Sequence, residues 1–434
     1  MNRIRVLGVI LAWCMCIPAY AGVVGEKSFD LIFDPNHADT KTIELVIEGL
    51  EALNQHKYRQ AKTHFRQAAE LNEQDPIPML GLAKVAMLEQ QQGMAKRYLN
   101  QALTIAPQSP EVHASLGRFY ALQSNYEEAQ RHLSKAVDLH ANSHSVFSDL
   151  GFLYLNHLRE PEKARKTFTD ALAVASENPQ LHYGLALSYA NLARFAEAEA
   201  ELLIVTQLLP NDATAYQTLG RLYAQQHKFT ASLATIERAI ELNDAFVPLK
   251  MDRADVLAAS GKLDHAIDQY KKIVKLTPDS ALPLVRLGAL YEAKQQQYDA
   301  IQAYQKAIAL DPNQAIAYNA LAWLYVDDPI NRAQAIRLSK KAVALSHGEP
   351  AFIDTLAWLH RADGNLVEAE RLLNTAIAKQ QTPAAILYYH LGLVQHELRN
   401  THSAIASLNK AVEIDRNFEY ANNAQELLRS MRNQ

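Results

Sequence analysis

Apolar and polar positions along this chain fall into helical blocks that repeat. Alanine stands at Ala61, Ala95, Ala129, Ala164, Ala198, Ala266, Ala300, Ala335, Ala369 and Ala404, with Ser232 in the one gap, at intervals of 34 or 35 residues. A bulky residue four places on and, in most blocks, a second small one seven places on complete the block, as in Ala300, Tyr304 and Ala307; Val205 and Ile273 are the exceptions. Twelve or thirteen positions earlier a glycine or alanine always stands, from Gly49 to Gly392. This pattern predicts pairs of antiparallel helices. Where two axes approach to roughly 8–10 Å, no large side chain fits at the crossing. Pro107, Pro210, Pro278 and Pro312 punctuate the blocks. One pair cannot bury its apolar faces alone, so the pairs must stack into a solenoid.

The unit from Ala281 to Gln314 carries the whole pattern: Leu287-Gly288, Tyr291, Ala300, Tyr304, Ala307 and Pro312. It resembles the tetratricopeptide repeat, and the resemblance extends over residues 42–418. It implies an all-α fold: a right-handed superhelical solenoid of about eleven repeats. Residues 419–434 keep helical spacing and read as a capping helix, which a terminal repeat requires. The three 35-residue intervals imply single-residue insertions in turns near Glu160-Pro161, Pro329 and Thr382.

Residues 22–41 precede the repeats, with Asp39 or Thr40 as a candidate helix cap. Residues 1–21 read as a secretory signal. Arg3 and Arg5 precede the apolar run Val6 to Ile17, and Ala19-Tyr20-Ala21 offers the small residues of a cleavage site. Export, with a periplasmic location, is the expectation. A lipoprotein anchor at Cys14 is the lesser alternative, because Trp13 stands where a small residue belongs. Cys14 and Cys16 are the chain's two cysteines, so a chain cut after Ala21 has no disulfide and no thiolate.

A net charge of -4 gives no electrostatic reason to expect nucleic acid. The apolar run is too short to span a bilayer, so an integral membrane protein is not expected. The repeats carry no phosphate loop, HExxH or Gly-x-Ser-x-Gly motif. His390, His396 and His402, six apart, do not share a helical face. We therefore expect no enzyme, no cofactor and no metal.

The tetratricopeptide resemblance implies a concave groove lined by the first helix of each pair. Carried over residue by residue, it places Trp323 and Trp358 at one groove position of adjacent repeats, with Asn319, Asp354 and Tyr389 beside them. Lys84, Arg118 and Arg221 occupy the same position in earlier repeats. Tryptophan and tyrosine are the residues that most often dominate binding energy, although a groove position half buried between helices also suits packing. The implied partner is a protein or peptide. The runs Asn319–Trp323, Asp354–Trp358 and Tyr389–Gly392 are similar to the last repeats of bacterial envelope proteins linked to exosortase and exopolysaccharide systems. That similarity implies a scaffold working with polysaccharide-assembly machinery; a glycan-binding accessory factor of polysaccharide export is the alternative.

Overall fold

The structure is a computed structural model that describes residues 40–139 and 144–432. The signal sequence expected at 1–21, the segment 22–39 with Asp39, and residues 140–143 and 433–434 lie outside the described residues. All the regular structure described is helical. Two compact units divide the chain near Asp244. In the amino-terminal unit six helix pairs follow one another, from Thr40–Asn54 with Tyr58–Leu71 to Ala213–Gln225 with Phe229–Leu242. The carboxy-terminal unit holds five pairs, from Val247–Ala259 with Leu263–Leu276 to Ala385–Glu397 with Thr401–Ile414, and then the single helix Ala421–Arg432. In both units the second helix of a pair packs on the first helix of the next pair.

The crossing that organises each pair is a large side chain lying flat on a small residue. A Cβ added at Gly49 would stand 2.7 Å from the Phe65 ring, and one at Gly81, in the next pair, 2.6 Å from the same ring. Phe168 fills the same place between Gly151 and Gly184, at 2.4 and 2.3 Å. One aromatic wedge therefore ties a pair to its successor. Leu133 on Gly117, Ile236 on Gly220, Tyr304 on Gly288 and Leu408 on Gly392 repeat the intra-pair half of this contact. The ninth pair breaks the rule. Four places after Ala335 the residue is Ser339, fully buried, with no hydrogen-bond partner for its hydroxyl.

Of the three expected insertions, the first is not in a turn. Tyr154–Leu158 forms a π-helical turn that continues the helix His144–Leu153, and Arg159, left-handed at φ 55°, closes it. An extra residue in a helix is absorbed as such a bulge. The second lies at Pro329. The first helix of the ninth pair, Ala315–Leu324, ends four residues short of Asp328, whose place before Pro329 disfavours the helical region. Asp328 then accepts from the backbone N–H groups of Ile330 and Asn331 and turns the chain. The third occupies the link from Lys379 to Ala385.

Most intra-pair turns need one left-handed residue. Gly261 and Gly364 supply it at φ 84° and 81°. Elsewhere a non-glycine is held there, as with Gln90, Ser124, Ala193 and Gln295 at φ 57–61°. The backbone bonds compensate: Asn125 N–H donates to Tyr120 O at 2.9 Å and Ser124 N–H to Ala121 O at 3.0 Å, the pattern of a Schellman cap.

A histidine clasp joins the helices Pro110–Leu122 and Tyr126–Asp138. His113 Nε2–H donates to Pro107 O (3.1 Å), so its Nδ1 accepts from His132 Nδ1–H (2.9 Å), and His132 Nε2 accepts from Arg131 (3.2 Å). Every ring nitrogen is used only if both rings are neutral. Burial, with Arg131 beside it, pushes His132 down to about 4, and burial also lowers His113; Lys135 adds to this, and Glu128 opposes it at His132. Two pairs along, His182 sits between Glu201 Oε2 (2.5 Å) and Ser176 O (2.8 Å).

Two expectations follow. Ala193→Gly raises the stability of the chain by about 1 kcal/mol, and Gly261→Ala lowers it similarly, because a β-carbon in the left-handed region costs roughly that much; urea melts read both. The His113–His132 clasp takes up protons on unfolding, so its stabilisation is complete above the unfolded value of 6.5 and is lost as pH falls from there toward about 4. His132→Glu, which copies the His182–Glu201 arrangement, reduces that acid loss in thermal melts.

Candidate functional site

A groove of about 1020 Å³ opens in the carboxy-terminal unit. It is lined by the first helices of four consecutive pairs: Ala281–Ala293, Ala315–Leu324, Pro350–Ala362 and Ala385–Glu397. The link 379–384 and the pair Phe418-Glu419 border it as well. Val285, Ile316, Trp323, Phe352, Ile386 and Phe418 make much of the wall apolar.

Of the residues that the sequence singles out, the structure brings three into this groove: Asn319, Trp323 and Asp354. Trp323 is half buried. The Oδ1 atom of Asn319 is shut off from solvent and has no hydrogen-bond donor. Asp354 is buried, and its Oδ1 accepts from His390 Nδ1–H at 2.6 Å, so it is less available to a peptide backbone than expected.

The others stand elsewhere. Trp358 takes the same helical position as Trp323 one repeat on but does not line the groove. Its ring lies 4.3 Å from the His390 ring on one contact and 4.4 Å from the Arg361 guanidinium on another. Arg361 is in turn held by the carboxylate of Glu397. Trp358 is therefore wedged by its neighbours. Tyr389 stacks on Tyr420 at 5.1 Å and meets Phe418 edge-on at 5.7 Å, which fastens the last pair to the segment before the terminal helix. Burial raises the pKa of its phenol.

Lys84, Arg118 and Arg221 belong to the amino-terminal unit and line no part of this groove. Arg118 is buried, with Nε donating to Asp149 Oδ2 (2.5 Å) and Nη2 to Ser145 Oγ (2.8 Å). It is an internal ion pair and offers no charge to a partner. Lys84 and Arg221 are half buried and engaged by neighbouring groups.

Glu292, three residues after Ala289, which takes the eighth repeat's equivalent of the Trp323 position, is a wall residue that the sequence reading does not single out. Gly288 lets the Tyr304 ring lie against its helix. The Tyr304 hydroxyl then emerges at Glu292 and donates to one carboxylate oxygen. Burial pushes Glu292 up to about 7, against the lowering effect of that hydrogen bond. Lys379 and Arg286 also line the groove. Lys379 donates to His347 O at 3.4 Å, and Arg286 pairs with Asp255 at 3.9 Å. Among the described residues no group of three His, Cys, Asp or Glu side chains could hold a metal ion, and no helix is long and apolar enough to cross a membrane.

Stacked helix pairs with a groove built from their first helices define a helical-repeat binding scaffold. Family profiles described as tetratricopeptide repeat match residues 48–110, 154–213 and 218–281, with further profiles of that description at 93–150, 283–314, 303–337 and 385–418. The chain belongs to the tetratricopeptide repeat family. Yeast Tom70 shares its fold, with a TM-score of 0.55 at 16% identity, over 91% of this chain and 96% of that one. Among curated proteins, the chain is similar to Protein O-mannosyl-transferase TMTC3 of Mus musculus, at 26% identity over 38% of this chain and 16% of that protein. Anaphase-promoting complex subunit 3 of Schizosaccharomyces pombe matches at 22% identity over 35% of this chain and 23% of that protein. The chain thus spans about a quarter or less of each of these two relatives.

The two tryptophans should separate in a stability assay. Trp358→Ala lowers stability by about 2–3 kcal/mol, since it removes a packed indole together with its histidine and arginine contacts. Trp323→Ala, whose indole lines the groove, costs less. Equal losses in denaturant melts would contradict this assignment.

Proposed function

We propose that this protein is an exported, non-catalytic scaffold that holds an extended polypeptide segment of a partner in the groove of its carboxy-terminal unit. The observation that carries the reading is Trp323 beside Asn319 Oδ1 in a largely apolar groove: an aromatic anchor and a buried acceptor with no donor of its own. The first helices of pairs eight to eleven touch in succession. At roughly 8–10 Å per step they span about 25–30 Å, room for about eight residues of extended chain at ~3.3 Å each.

A glycan in the same place would leave hydroxyls against Val285, Ile316, Phe352, Ile386 and Phe418, at a cost for each polar group without a partner. The peptide reading is favoured for that reason. Work in the bacterial envelope, alongside exopolysaccharide or exosortase machinery, is supported by the signal-like residues 1–21 and by the wording of the last repeats. The transferase in the name of the O-mannosyl-transferase relative belongs to that protein as a whole, of which this chain matches a minor part.

Cross-linking in the source cells should capture a partner with the native chain. Trp323→Ala should reduce capture by at least tenfold, given about 2–4 kcal/mol for a central aromatic, with circular dichroism unchanged. Arg221→Ala should leave capture intact. Undiminished capture by Trp323→Ala removes this groove from the account. A mature chain beginning at Gly22 supports export, and one retaining Met1 opposes the cleaved signal.

A further inference from the structure

Three apolar side chains stand largely in solvent on successive intra-pair turns of the carboxy-terminal unit. Tyr298 is 74% exposed, Ile330 91% and Val367 71%. Among the described large apolar residues, only Val174, in the amino-terminal unit, is as open. Tyr298 and Val367 take the second position of the second helix in pairs eight and ten. In other pairs that place holds a charged, polar or small residue, as with Arg59, Glu127, Asp264 and His402. Pair nine reaches the same edge through Ile330, in the turn beside Pro329. Stacking does not need these side chains, because the pairs bury one another through their helix faces.

Each of the three has a carboxylate close by in the chain. Asp299 follows Tyr298, Asp327 stands three places before Ile330, and Asp363 four places before Val367. All three acids are exposed, and their carboxylates make no hydrogen bond or salt bridge with a described residue. The cations of the same turns are engaged elsewhere: Lys294 pairs with Asp264 and Arg361 with Glu397, while Arg332 lies beside Asp328. The edge is therefore apolar and acidic together.

We propose that this edge is a second docking face, separate from the groove, for a protein segment that sets apolar residues among lysines or arginines. Exposed apolar side chains rimmed by polar ones mark interaction surfaces, and charge complementarity selects the partner. A second copy docked through the same edge would set like carboxylates against each other. An anionic lipid surface or a nucleic acid would meet the same repulsion. The first helices of pairs eight, nine and ten touch in succession, so at roughly 8–10 Å per step the three side chains cover about 16–20 Å. A helix of twelve residues, about 18 Å long, reaches all three.

The test selects a displayed library of random dodecapeptides on the full chain, after depletion on the triple variant Tyr298→Thr, Ile330→Thr, Val367→Thr. Thr230 occupies this place in the sixth pair, so the variant should keep its circular dichroism and melting curve. The peptides recovered should combine apolar and basic residues. Replacing their basic residues by glutamine should weaken binding at least tenfold, and so should Asp299→Asn, Asp327→Asn and Asp363→Asn combined in the chain. Trp323→Ala should leave their binding unchanged, which separates this face from the groove. A library that yields no peptide able to tell the chain from the triple variant would overturn the proposal. Peptides without a basic preference would overturn it too. So would sedimentation showing a dimer, or flotation showing binding to phosphatidylserine vesicles, that the triple variant abolishes.

Discussion

Everything in this protein depends on a large side chain lying flat on the backbone of its partner helix. Phe65 on Gly49 and Gly81, and Phe168 on Gly151 and Gly184, show the full form: one ring occupies the space that two β-carbons would need. Such a contact is dry and tightly packed, so removing or adding a methyl group there disturbs both a pair and its neighbour. Stability is then a sum of nearest-neighbour terms, as in other one-dimensional arrays. A pair can deviate locally without dissolving the stack.

The ninth pair uses that tolerance. Ser339 stands where the wedge belongs, its first helix ends at Leu324, and Pro329 enforces a longer turn. This weakened pair is also the one that presents Asn319 and Trp323 to the groove. The proposed peptide site thus lies on the pair whose wedge position is a serine. Trp358, one repeat on, has the opposite fate: His390, Arg361 and Glu397 enclose it and hold the tenth and eleventh pairs together.

The helix pairs were legible in the sequence because each position in the period has one steric task. Small residues mark crossings, and bulky ones fill them. The site was legible only in part. Position within a repeat places Trp323 and Trp358 alike, yet only Trp323 lines the groove, while His390 and Arg361 flank Trp358. Arg118 shows the same limit, since Asp149 and Ser145, which neutralise it, come from the following repeat. Glu292 lies on the groove-lining helix of its repeat, but its burial against Tyr304 follows from Gly288 and not from spacing. The π-helical turn at Tyr154–Leu158 escaped because the period records that a residue was inserted, not where the helix absorbs it.

The most direct measurement of the central claim is hydrogen exchange on the full chain, alone and with its captured partner bound. The account predicts that new protection appears in the first helices of pairs eight to eleven and in the link 379–384, with residues 40–244 unchanged. Protection confined to residues 40–244, with the Ala315–Leu324 helix exchanging as before, would contradict it.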